Sequence, residues 1–188
     1  MSPLLRDIPE QFETERLVVR CPRAGDGRAV HEAVVETLAE LRAWPASLPW
    51  SLAEPSVEAS ELFCREGQVD FLARRQLPML LFLKDGNVYV GGSGLHSLDW
   101  SVPKFEIGYW CRKRYQGRGL LTEAVAAITG LAFATLGARR VSSLPDERNA
   151  ASRRVVERAG YALEGVMRHE RATPDGELRN TCVYAATR

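Results

Sequence analysis

Between Phe105 and Pro145 the sequence runs strand, glycine loop, helix, strand, and that order restricts the fold more than any other stretch of the chain. "FEIGYWC" has strand length and composition. "RYQGRG" (Arg114 to Gly119) follows, and behind it Leu121, Val125, Ile128, Ala132 and Leu136 recur at helical spacing as far as Gly137, a C-terminal cap. "RRVSSLP" (Arg139 to Pro145) then reads as a second strand. A right-handed crossover sets the two strands parallel, with the glycine loop at the carboxyl end of the first, where parallel arrangements bind ligands.

The loop also restricts the ligand. Glycine admits close approach to the backbone, and the free N–H groups of a helix's first turn carry partial positive charge, so this segment suits an anion with several oxygens. Two phosphate loops do not fit. The nucleotide P-loop requires Lys-Ser/Thr after its second glycine, where this chain has Leu120-Leu121. The dinucleotide fingerprint fails at "GGSGLHS", which offers Gly92 and Gly94 but has Ser97 in the third place.

Around this centre the spacing predicts a strand at Arg16 to Arg20, a helix from Asp26 to Trp44 and a second from Val57 to Arg75. A Pro-rich stretch carrying Trp44 and Trp50 separates the two helices. Asp85-Gly86 marks a hairpin between "PMLLFLK" and "NVYVGGSGL", and "HSLDWSVPK" reads as a loop. Asn149 to Ala159 reads as a helix closed by Gly160, and two strands complete the chain. We expect one domain over residues 1–188, of α/β class.

Composition excludes some functions. A net charge of +1 argues against a general nucleic-acid binder, although 22 of the 25 basic residues are Arg, whose fork suits phosphate. The four cysteines (Cys21, Cys64, Cys111, Cys182) lack the CxxC spacing of a zinc or redox site, so reduced thiols and no metal are expected. Without a signal-like start or an 18-residue apolar run, the expected location is cytoplasmic, with no membrane partner.

Arg114-x-x-Gly117-x-Gly119 between a strand and a helix resembles the Arg/Gln-x-x-Gly-x-Gly/Ala motif of the GCN5-related N-acetyltransferase (GNAT) superfamily. "EIGYW" looks like that family's central strand, "RNAASRRVVERAGY" like its Asn-x-x-Ser helix, and "ETERLVVR" like its opening strand; together they run in family order over nearly the whole chain. "LRAWPASLPW" and "LEGVMRHE" look most like the branch that acetylates the N-termini of ribosomal proteins. The resemblance implies a mixed, mostly antiparallel sheet of about six or seven strands, one parallel splayed pair and about four flanking helices. It also implies acetyl-CoA as co-substrate and an amine acceptor, with a homodimer allowed.

Residue by residue, the resemblance implies that backbone N–H groups from Gln116 to Leu120 hold the coenzyme pyrophosphate, and that backbone at Trp110, Cys111 and Arg112 holds the pantetheine arm and thioester carbonyl. Arg112, Lys113, Arg114 and Arg118 form a basic run for the phosphates, or a solvated loop. Asn149 is implied to contact the coenzyme arm and Ser152 to approach the sulfur, although both also suit a helix cap. Glu106 shares a strand face with Gly108 and Trp110; a carboxylate on an otherwise apolar strand is costly unless paired or useful, which makes it a general-base candidate. By resemblance the second candidate is an acidic residue of the strand after Gly160, a place that Glu170 or His169 could take. Trp44 and Trp50 are expected either to flank an acceptor cleft or to lid the core. His31 and His96 carry no partner signature in the sequence.

The expected reaction is direct transfer of acetyl from the thioester to a primary amine, with a protein or peptide α-amine as the first acceptor class. A small amine (amino acid, polyamine or drug) and a catalytically silent acyl-CoA-binding module are the competing readings.

Overall fold

The structure is a computed structural model and describes residues 2–188. In chain order the elements are β1 (Gln11–Glu13), β2 (Leu17–Arg20), α1 (Gly27–Arg42), α2 (Val57–Leu72), β3 (Leu77–Leu83), β4 (Tyr89–Asp99), β5 (Lys104–Cys111), α3 (Leu120–Ala134), β6 (Arg140–Ser143), α4 (Ala150–Arg158), β7 (Ala162–Ala172) and β8 (Leu178–Thr187). One eight-stranded sheet has the order β1-β2-β3-β4-β5-β6-β8-β7, antiparallel except for the β5–β6 pair. The expectation of about six or seven strands missed β1, which is three residues long, too short to show any alternation.

Apolar side chains divide between the two faces of this sheet. In β3, Leu77, Met79 and Leu81 join Phe105, Ile107 and the α3 stripe of Ala124, Val125, Ile128 and Ala132. Leu80 and Phe82 point the other way, onto Val30 and Ala33 of α1 and Cys64 of α2. Burial on both faces explains why "PMLLFL" reads as a continuous apolar run.

The helices are fixed by local chemistry. Glu61 of α2 accepts the N–H groups of Gly25 (2.9 Å) and Gly27 (3.1 Å), so one carboxylate serves the exposed N-terminus of the neighbouring helix. The contact is so close that a Cβ on Gly27 would lie 2.5 Å from the Glu61 Cα. Ser56 caps α2 by accepting from Ala59 N–H at 3.0 Å, and Asn149 caps α4 by accepting from Ser152 N–H at 3.0 Å. Among the described residues no helix is long and apolar enough to cross a membrane.

The feature that positions the site is the short β5–β6 contact. Lys104, Phe105 and Glu106 pair with Arg140, Val141 and Ser142, and there the pairing stops. Strand β6 ends at Ser143, and Pro145, which has no N–H to donate, follows it. From Ile107 to Cys111, β5 continues with β4 alone on its other side. The strands part into a V.

Candidate active site

The direction of each backbone group along this V follows from one bond. Arg112 N–H donates to Val90 carbonyl at 2.8 Å, toward β4. Because antiparallel residues alternate edges, Trp110 and Gly108 also face β4, while Ile107, Tyr109 and Cys111 turn their backbone groups the other way; the register at Glu106–Ser142 takes up the Ile107 N–H, and the groups of Tyr109 and Cys111 lie on the open side. Two side-chain bonds agree: Gln116 Nε2 donates to the Cys111 carbonyl at 3.2 Å, and Ser142 Oγ to the Phe105 carbonyl at 3.3 Å. Of the expected trio Trp110, Cys111 and Arg112, only Cys111 has its backbone groups on the open edge; the Arg112 N–H is taken by Val90 and its carbonyl by Tyr115 N–H.

Beyond Cys111 the loop is anchored to α1. Glu36 accepts from Arg112 Nε (2.8 Å), from Arg114 N–H (3.0 Å) and from the Arg114 guanidinium (2.5 Å), while Lys113 N–H donates to Thr37 Oγ1 at 3.0 Å and its ammonium pairs with Glu40. These bonds hold the Glu36 carboxyl at about 2, the Arg114 contact being the largest cause. The Arg112 and Arg114 side chains, expected at the phosphates, both pair with this carboxylate and tether the loop. Arg118 alone of the four basic residues lacks a carboxylate partner among the described residues; it lies over the Tyr115 ring at 5.2 Å.

Gly117 (φ 73°) and Gly119 (φ 76°) both sit in the left-handed region, which side-chain-bearing residues rarely adopt. A Cβ on Gly117 would meet nothing within 4 Å, so what calls for glycine there is the backbone conformation alone. Gln116 N–H is used by the Lys113 carbonyl, whereas the N–H groups of Gly117, Arg118, Gly119 and Leu120 have no protein acceptor among the described residues. The row of free N–H groups thus begins at Gly117, one residue after Gln116. Four free donors at the head of α3 fit a pyrophosphate.

A cleft of about 1470 Å³ runs through the V and touches both faces of the sheet. It brings together Gln116, Gly117, Gly119 and Leu120 of the loop, Cys111, Asn149 and Ser152 beside the open edge, and Glu106, Trp110, Trp44 and Trp50 toward α1 and α2. It does not reach Glu170, which accepts from Thr181 Oγ1 at 2.8 Å and pairs with Arg171 at 3.1 Å. Nor do the side chains of Arg112, Arg114 and Arg118 line it.

Three aromatic rings run in series along the cleft, and Trp44 lines it separately. Trp110 packs on Trp50 (centroids 6.1 Å apart) and edge-on to Tyr89 (6.0 Å), and the Arg179 guanidinium lies 5.8 Å from the Trp44 ring. Trp50 is 47% exposed, so it borders the cleft without sealing the core. Across the V, Ser152 Oγ donates to Tyr109 Oη at 3.0 Å, and Tyr109 Oη donates to the Ser152 carbonyl at 2.9 Å. Burial raises the Tyr109 phenol, which stays protonated at neutral pH. Burial likewise pushes the Cys111 thiol up to about 11, so no thiolate nucleophile forms there.

Two residues escaped the sequence. Tyr109 gave no signal beyond its place on the strand. His96 was read into a loop, yet β4 runs on to Asp99, and His96 stands opposite Glu106 with Nε2 3.2 Å from Oε1.

The acetyltransferase (GNAT) domain model matches residues 16–162. The chain belongs to the GNAT acetyltransferase family. Over 99 residues it is 37% identical to the Bacillus subtilis protein named "Putative ribosomal N-acetyltransferase YdaF", covering 50% of this chain and 54% of that one. This chain thus spans about half the length of that curated relative. The fold is similar to Mycobacterium smegmatis RimJ in complex with CoA-disulfide (TM-score 0.83, 22% identity, covering 100% of this chain and 90% of that one). It is also similar to RimL, a ribosomal L7/L12 alpha-N-protein acetyltransferase in complex with coenzyme A (TM-score 0.80, 21% identity, covering 96% and 97%).

Proposed function

We propose that this GNAT member is an acetyl-CoA-dependent N-acetyltransferase whose acceptor is the α-amine of a protein or peptide N-terminus. The observation that supports it is the single cleft joining the free N–H row at Gly117 to Leu120, the open edge of β5 and the Trp44–Trp50–Trp110 wall. The first two would hold the coenzyme's pyrophosphate and pantetheine amides; the third gives an extended chain an apolar wall. Bound acetyl-CoA supplies the thioester whose acetyl group passes to the amine nitrogen, leaving free coenzyme A and one proton. The chain's own groups orient the two partners and manage protons. Glu106 governs loss of the acceptor's proton, and the Ser152 hydroxyl, beside the open edge, turns its one proton from Tyr109 Oη to the departing sulfur.

Acceptor chemistry favours an α-amine. It titrates near 7.7 to 8.0, so roughly a fifth to a third is free at pH 7.4, against about a thousandth of a lysine amine near 10.4. The names of the relatives above point the same way.

The test is a competition followed by mass spectrometry: free N-terminal peptides, the same peptides with blocked N-termini and a free lysine, and a panel of amino acids, polyamines and aminoglycosides. Preferential acetylation of free N-termini is expected. Faster transfer to any small amine would replace this reading with the small-molecule one. Coenzyme binding without release of free thiol on any amine would favour a silent acyl-CoA-binding module.

A further inference from the structure

Three local features aim one side chain at Glu106. His96 and Glu106 are paired residues on adjacent antiparallel strands, and the β4–β5 register shifts immediately after His96. Ser97, the next residue, has φ 49°, in the left-handed region that a serine rarely adopts. Bulges of this kind re-aim a side chain and are frequent beside active sites. On the partner strand Gly108 leaves a notch: a Cβ there would lie 3.4 Å from His96 Cε1 and 3.9 Å from Nδ1. The imidazole therefore lies over the space that Gly108 leaves empty, with Nε2 3.2 Å from Glu106 Oε1, within ion-pair distance. Among the described residues Glu106 is the one charged group paired with it, and both line the cleft.

We propose that His96 takes the acceptor's proton at Nδ1 while Glu106 holds the ring through Nε2–H; this rests on the acetyltransferase reading above. A carboxylate on one ring nitrogen fixes the tautomer and leaves the other nitrogen with its lone pair. Nδ1 is the nitrogen over the Gly108 notch. In the step, an N–H bond of the acceptor ammonium breaks and its electron pair stays on nitrogen; an N–H bond forms at Nδ1, and the resulting imidazolium is balanced by the Glu106 carboxylate. The proton then passes to water in the cleft, which resets the pair. Glu106 becomes the positioning residue and His96 the base.

The proposal is tested by acceptors that differ in basicity. Wild type, His96→Ala, His96→Gln and Glu106→Gln are assayed with α-amine peptides and with peptide hydrazides, which are unprotonated at neutral pH. At pH 7, His96→Ala should lower kcat on α-amines about 100-fold, the low end for acid–base catalysis, and only a few-fold on hydrazides. His96→Gln, which keeps a donor to Glu106 but cannot take a proton, should not restore the rate, and coenzyme A affinity by calorimetry should be unchanged in every variant. Equal losses on both acceptors, or full activity in His96→Gln, would overturn the proposal. Histidine 15N resonance on the free protein supplies a readout independent of turnover: one Nε2-protonated tautomer is expected for His96, with shifts that move in Glu106→Gln. Resonances indifferent to Glu106 would overturn the pairing even in a protein that acetylates no amine, whereas inactivity of wild type with the pairing intact would count against the acetyltransferase reading alone.

Discussion

Ser152 and Tyr109 satisfy each other across the V, the hydroxyl donating to the phenol oxygen (3.0 Å) and the phenol to the Ser152 carbonyl (2.9 Å). The helix cap at this point is made by Asn149 Oδ1 on Ser152 N–H, a backbone group, so it does not depend on the Ser152 side chain. Ser152→Ala should therefore cost only about 1 kcal/mol of stability, one hydrogen bond's worth. Turnover should fall more than coenzyme affinity does, because a bond to the departing sulfur strengthens as charge develops. Denaturant melts and steady-state kinetics check both; intact turnover would make the serine structural.

The glycine loop gives a binding prediction. Valine at Gly117 or Gly119 would meet a left-handed backbone, a strain of about 1–3 kcal/mol, and would stand over the free N–H row. Coenzyme affinity should fall at least about tenfold, the equivalent of about 1.4 kcal/mol, measured by calorimetry. Gly117→Asn, which tolerates the left-handed region, should keep the stability of wild type while still losing affinity. Undiminished affinity in all three variants would remove the pyrophosphate from this loop.

Glu36 predicts an acid response. Its folded-state carboxyl sits at about 2, against 4.5 ordinarily, so its contribution to stability is complete above about 4.5 and is lost as pH falls toward 2. Glu36→Gln should be less stable than wild type at pH 7, and that gap should narrow as pH falls through this window. Urea melts at pH 7, 4 and 3 measure it. Coenzyme affinity should also drop several-fold in the variant, since Arg112 and Arg114 lose the group that tethers the loop.

Gly92 lines the cleft beneath the Trp110 indole. A Cβ there would come within 2.9 Å of Trp110 Nε1, so Gly92→Ala must displace the indole that joins Trp50 to Tyr89. Acceptor KM should rise several-fold while coenzyme affinity holds. A change in coenzyme affinity alone would place Trp110 on the other substrate.

Much of this was legible in the residues themselves. The glycine loop, the two helices behind it and the Asp85-Gly86 hairpin are encoded within a few neighbouring positions, and the turn is made there by Gly86 (φ 75°) and Asn87 (φ 51°). What escaped was set by distant partners. Nothing near Arg112 and Arg114 in the sequence announces their partner Glu36, which α1 brings from 76 and 78 residues away. Ser97, Asp99, Ser101 and Pro103 carry turn chemistry that hides the last residues of β4, and with them the pairing of His96. β1 gave no periodicity because it holds only three residues.

The open edge of β5 has a consequence for how such a site can be studied and how it can change. Peptide groups of Tyr109 and Cys111 are common to all amino acids except for proline's missing N–H, so alanine substitution at these positions leaves them in place. If the pantetheine arm binds here as proposed, a scan of side chains would pass over its groove without registering it. Replacing single amides by esters would find it. On the same proposal, side chains along this edge could diverge between relatives with coenzyme binding kept, provided that none of them becomes proline.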